Sequence, residues 1–185
     1  MQIAPLIKPI VKYLLNKRSD SLDRKPSKLV GEHIMHAAVV AIYQDNENFS
    51  HIKSYVKELK HRGLKTVDLY IFFPSKKQLE SYHPAKHEYP FRSGDFNWIG
   101  KYKGDALKQS VAKNYDVLID LSRGGEFACD VFIAKSKATW KVGEFDNNRV
   151  FLLDFMIDVK QESDIRNLTH HINEYLLNFN KSNAA

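Results

Sequence analysis

Residues 116–121 read DVLIDL and are followed at once by Ser122, Arg123, Gly124, Gly125 and Glu126. Four of the six residues are apolar and two of those are β-branched, the pattern of a strand buried on both faces. The paired glycines with an acid behind them read as a tight turn into a helix over 126–135. A buried strand passing through a short turn into a helix is the half-unit of a parallel sheet.

The same half-unit recurs on both sides. Upstream, 34–43 (IMHAAVVAIY) is a nearly unbroken apolar run. Phe49, Ile52, Tyr55, Val56 and Leu59 then keep helical spacing up to Lys60, His61 and Arg62, with Gly63 as the stop. A second strand spans 66–73 and ends at Pro74, and a short helix capped by Ser75 spans 75–82. Residues 83–104 read as irregular and 105–113 as helical. Downstream, 139–142 and 151–159 read as strands. A closing helix over 161–179 puts Ile165, Leu168, Ile172, Tyr175, Leu176 and Phe179 on one face. This alternation predicts an α/β domain: a three-layer, Rossmann-like or flavodoxin-like, mainly parallel sheet with helices on both faces.

The chain has 185 residues, enough for one domain with an appendage. The expected division is a basic amphipathic helix and linker at 1–31 and one α/β domain at 32–185. Residues 1–31 hold seven basic residues against two acids, a surplus of five within a net charge of +6. Ile3, Leu6, Ile7, Ile10, Val11, Leu14 and Leu15 share one helical face, with the helix proper running from Pro9 to about Arg18. Lys8 and Lys12 break the apolar region that an export signal needs. Cys129 is the single cysteine, which excludes an internal disulfide and favours a reducing, cytoplasmic setting.

Four blocks carry a resemblance: FNWIG at 96–100, YDVLIDLS at 115–122, AKSKATWKVG at 134–143 and DFMIDV at 154–159. Their order and spacing resemble an uncharacterised α/β family of Bacteroidota, which implies a fold and an origin. YDVLIDLS followed by a helix and WKVG is also similar to the amino-terminal half of heptosyltransferase-type (GT-B) glycosyltransferases. Those enzymes need a second Rossmann-like domain, and this chain ends before one could form.

Three groups of residues bear on function. Lys8, Lys12, Lys17, Arg18, Arg24 and Lys25 on the arm suit a polyanion, RNA or the ribosome above all. In the stretch 91–103, Arg92, Lys101 and Lys103 alternate with Phe96, Trp98 and Tyr102, so rings for stacking lie among cations for phosphates. Asp120, Ser122, Arg123, Gly124 and Gly125 form a loop at a strand's carboxyl end that could hold an anion of a nucleotide or phosphosugar. Glu126 and Asp130 stand against that use by placing negative charge in the helix's first turn. Asp154 and Asp158 are a weaker acidic pair. His83 and His87 lack an obvious third ligand besides Glu88, so no metal is assigned, and no motif demands a cofactor. The leading expectation is a non-enzymatic RNA-binding protein. A small-molecule site at 120–125 and a protein partner for the arm's helix are the alternatives, with no stable membrane insertion.

Overall fold

The computed structural model describes residues 34–97, 101–124, 126–159 and 164–181. The arm residues Lys8, Lys12, Lys17, Arg18, Arg24 and Lys25, together with Trp98 and Gly125, lie outside the described residues. Six strands form: β1 (His36–Ile42), β2 (Thr66–Phe72), β3 (Glu88–Phe91), β4 (Val117–Asp120), β5 (Trp140–Glu144) and β6 (Phe155–Ile157). The helices between and after them are α1 (Asn46–His61), α2 (Lys76–Ser81), α3 (Asp105–Ala112), α4 (Phe127–Lys135) and α5 (Ile165–Lys181). All neighbouring strands are parallel, in the order β3-β2-β1-β4-β5-β6. That order reverses between β1 and β4, the Rossmann-like arrangement.

Local chemistry sets the boundaries. Asp45 caps α1 by accepting from the Asn48 amide at 2.7 Å, and Gly63 leaves the helix at φ 104°, which suits glycine best. Ser75 precedes α2 as expected, but its side chain makes no capping bond. The interior divides by strand alternation. Val39, Leu69 and Ile119 face α1 and α5, meeting Ile52, Leu59, Leu168 and Ile172. Val40, Tyr70 and Leu118 face the other side, with Cys129, Phe132 and Ile133 of α4. Each such side chain, fully buried, contributes about 1.5–3 kcal/mol. Among the described residues no helix is long and apolar enough to cross a membrane.

Two expectations need correction. Residues 83–104 are not wholly irregular, because EYPF at 88–91 pairs with β2 as an edge strand. Pro90 concealed it: proline is excluded from central strands but is admitted on an edge. The strand expected over 151–159 is only three residues long, since 149–152 are used in turns.

A parallel sheet has two unlike ends. The amino rim gathers the strand starts and the helix ends; the carboxyl rim gathers the strand ends and the helix starts. Along β1 they are about 20 Å apart. The first described residue, Ile34, stands just before β1 and is therefore at the amino rim.

Candidate functional site

The carboxyl rim, where ligands of such sheets usually sit, is closed by its own charges. Asp120 ends β4 with no exposed surface and accepts the Ser122 amide at 2.9 Å and the Ser122 hydroxyl at 2.5 Å. Its other oxygen lies 2.8 Å from Nη2 of Arg149, which is itself only 4% exposed. The same guanidinium donates from Nε to Asp130 of α4 at 2.9 Å. Burial lifts the Asp130 carboxyl to about 6 against the opposing pull of Arg149. Burial disfavours the Arg149 cation as well, but Asp120 and Asp130 outweigh it and hold the guanidinium above its ordinary range.

The predicted anion loop is part of this closure. Arg123, at φ 54°, turns back onto Glu144 of β5, donating from Nε at 2.6 Å and Nη2 at 2.9 Å. Gly124 has φ 78°, and a Cβ there would reach Asp146 Oδ2 at 3.4 Å. Asp120, Asp130, Glu144 and Asp146 thus stand around Arg123 and Arg149, and the Glu126 carboxyl at the start of α4 is pushed up by burial. A phosphate placed here would meet more carboxylates than cations. Of the expected loop residues, Asp120 and Ser122 bond each other and Arg123 pairs with Glu144, while Gly125 lies outside the described residues.

The loop over 91–103 is also at the carboxyl rim. Phe96 is buried against Phe91 at 6.1 Å, and Tyr102 is half-buried beneath Lys135, whose ammonium lies 4.5 Å from the ring centre. Arg92 folds over Gly94, while Lys101 and Lys103 are exposed. The described rings therefore anchor the loop instead of offering faces for stacking. Asp154 and Asp158 sit at opposite ends of β6, Asp154 accepting the Lys141 amide at 2.8 Å, so they form no pair.

At the amino rim the residues are different. Asp68 of β2, 1% exposed, is the hub. It accepts from Tyr115 Oη at 2.6 Å, from Lys113 Nζ at 2.9 Å and from His87 Nδ1 at 2.7 Å. Lys113 also donates to Tyr89 Oη at 3.0 Å, and Tyr70 shares a 2.7 Å hydroxyl contact with Tyr115. Burial alone would raise the Asp68 carboxyl, but these three bonds outweigh it and hold it below the ordinary range. Burial and Asp68 together push the Tyr115 hydroxyl up. Burial would lower Lys113, yet its bonds to Tyr89 and Asp68 raise it. These shifts keep Asp68 and Lys113 charged and Tyr115 neutral near neutral pH. Lys60, Lys65, Lys86 and Lys137, which by their place at the end of α1 or just before β2, β3 and β5 belong to this rim, are exposed.

Sequence reasoning missed this cluster. Asp68 within TVDLYIF was a signal, because a lone carboxylate in an apolar strand must find donors. His87 gave no such sign; it sits in a turn at φ 71°, and that conformation is invisible in sequence. Among the described residues, no group of three or more metal-binding side chains converges, and His83 is not drawn to His87 by any helix.

The described residues form a Rossmann-like α/β fold. The chain belongs to the family described as "Family of unknown function (DUF6913)", whose model matches residues 7–179. No curated protein and no solved structure matches it.

Proposed function

We propose that this chain is a cytoplasmic, non-catalytic RNA-binding protein whose arm and amino rim together follow the phosphates of a structured RNA, ribosomal RNA among them. The carrying observation is one of placement. The cationic segment 1–31 precedes a body whose first described residue is at the amino rim, where Lys60, Lys65, Lys86 and Lys137 are exposed. Charge surplus in sequence and exposed cations in the fold coincide at one end. Arg92, Lys101 and Lys103 stand at the other end, so in this reading they contribute little. A Bacteroidota origin is supported by block resemblance. The nucleotide- or phosphosugar-binding alternative at Asp120–Gly125, with its glycosyltransferase likeness, meets the acidic lining of that loop and is not favoured.

Salt dependence tests the reading, because each phosphate neutralised on a single strand contributes about −0.7 to the slope of log affinity against log salt. Replacing Lys8, Lys12, Lys17 and Arg18 with glutamine removes most of the affinity and flattens the slope. Replacing Lys65, Lys86 and Lys137 flattens it further. Replacing Arg92, Lys101 and Lys103 changes it little. Equal retention of all three variants on immobilised ribosomal RNA would overturn the proposal.

A further inference from the structure

A cavity of about 340 Å³ opens at the amino rim beside the Asp68 hub, with His36, Thr66, Tyr89, Lys113 and Asn114 in its wall. It lies across the starts of β3, β2, β1 and β4, four adjacent strands. We propose that this cavity receives one unpaired nucleobase of the bound RNA. The inference rests on the RNA reading above and adds base recognition to it.

The charge inside the cavity differs from the charge around it. Lys113 is balanced by the Asp68 carboxylate 2.9 Å away, so the wall is close to neutral. A phosphate entering it would be repelled by the buried Asp68 carboxylate. Lys65 and Lys86, which have no ion-pair partner among the described residues, immediately precede the wall residues Thr66 and His87 in sequence. Phosphates are thus favoured outside and a neutral polar group inside.

What the wall offers is hydrogen bonding of fixed direction. Tyr89 accepts from Lys113 at 3.0 Å and keeps its own proton to donate. Lys113 has three protons and uses two, on Asp68 and Tyr89. A carboxylate can only accept, so His87 donates from Nδ1 and its Nε2 remains for another group. Tyr89 cannot swing freely, being stacked on Tyr70 at 5.0 Å with the Lys113 ammonium 4.5 Å from its ring centre. Preset donors match the acceptor atoms on the edge of a nucleobase, the group that single-stranded RNA presents for recognition. The volume lies within the range of small-molecule sites.

Two probes on the full chain test this. The first is the four free nucleosides, which carry no phosphate, followed through the His36 and His87 imidazole NMR signals. The second is a set of equal-length RNA homopolymers and an abasic strand, at one salt concentration. The expected result is that one nucleoside moves both histidine signals and that its homopolymer binds about tenfold tighter than the abasic strand. Tyr89→Phe, and separately the exposed-site variant Asn114→Ala, bring that ratio towards one and leave the salt slope unchanged. Homopolymers and abasic strand binding alike, with silent nucleosides, would overturn the inference and leave the rim reading standing. Nucleoside binding without RNA retention would support the cavity and sink the rim reading. Failure of both removes both.

Discussion

At the scale of single residues, the arrangement turns on two buried aspartates held in opposite ways. Asp120 depends on one distant cation, so Arg149→Met should leave a buried carboxylate uncompensated and cost about 3–5 kcal/mol, read as a fall in the urea midpoint. The two networks also give opposite pH dependence. Asp130 titrates higher in the folded protein than in the unfolded chain. Its contribution is therefore present below the unfolded value and is lost as pH rises through about 6. Asp68 is held low, so its contribution is present above the unfolded carboxylate value and is lost as pH falls through the folded one. Asp130→Asn should abolish the loss of stability between about pH 4 and 6, while acid unfolding persists; equal curves for variant and parent would refute this. Gly143 is a further point of constraint. A Cβ there would lie 3.0 Å from the Asp120 Cβ and 3.1 Å from its carbonyl oxygen, so Gly143→Ala should destabilise by about 1–3 kcal/mol. Asp120's bond to Ser122 was legible because the partner is two positions on. Arg149 and Asp130 were not, because only the fold brings them to the same place.

At the scale of elements, most of the sheet and its helices could be read from periodicity. Strong apolar runs and clear stops wrote β1, β2, β4, α1 and α4 into the sequence. The elements that escaped are those where tertiary context overrides local preference: β3, whose Pro90 is tolerable only on an edge, and β6, shortened by the Arg149 turn that serves Asp120. Packing between elements yields two contrasting expectations. Phe132 of α4 lies 4.4 Å from Tyr70 and 5.8 Å from Phe91, ring centre to ring centre, so Phe132→Ala should cost about 3–5 kcal/mol. Between α1 and α5, the Tyr55 hydroxyl is buried with no hydrogen-bond partner among the described residues. Tyr55→Phe removes a desolvated group that forms no bond, and should raise the urea midpoint by the equivalent of about 1 kcal/mol. A fall instead would mean that the hydroxyl has a partner in solution.

For the whole molecule, the two rims differ in how charge is held: at the carboxyl rim Arg149 and Arg123 are locked to Asp120, Asp130 and Glu144, and at the amino rim Lys65, Lys86 and Lys137 are exposed. The charge surplus of residues 1–31 was legible from composition, but that β1 starts at the amino rim was not. Nor was the fact that the 91–103 loop lies at the opposite end, since both follow from strand direction alone. One border of the sheet carries a further meaning. Leu69 donates to the His87 carbonyl and Phe73 to the Phe91 carbonyl, so alternation turns residues 88 and 90 outward. The Glu88 amide is already bonded to the Ala85 carbonyl at 3.1 Å, and Pro90 has no amide hydrogen. A stray extended peptide, or a second copy laid strand to strand, would find no donor along β3 to zip against. The protein is thereby shielded on that flank from fibril-like stacking.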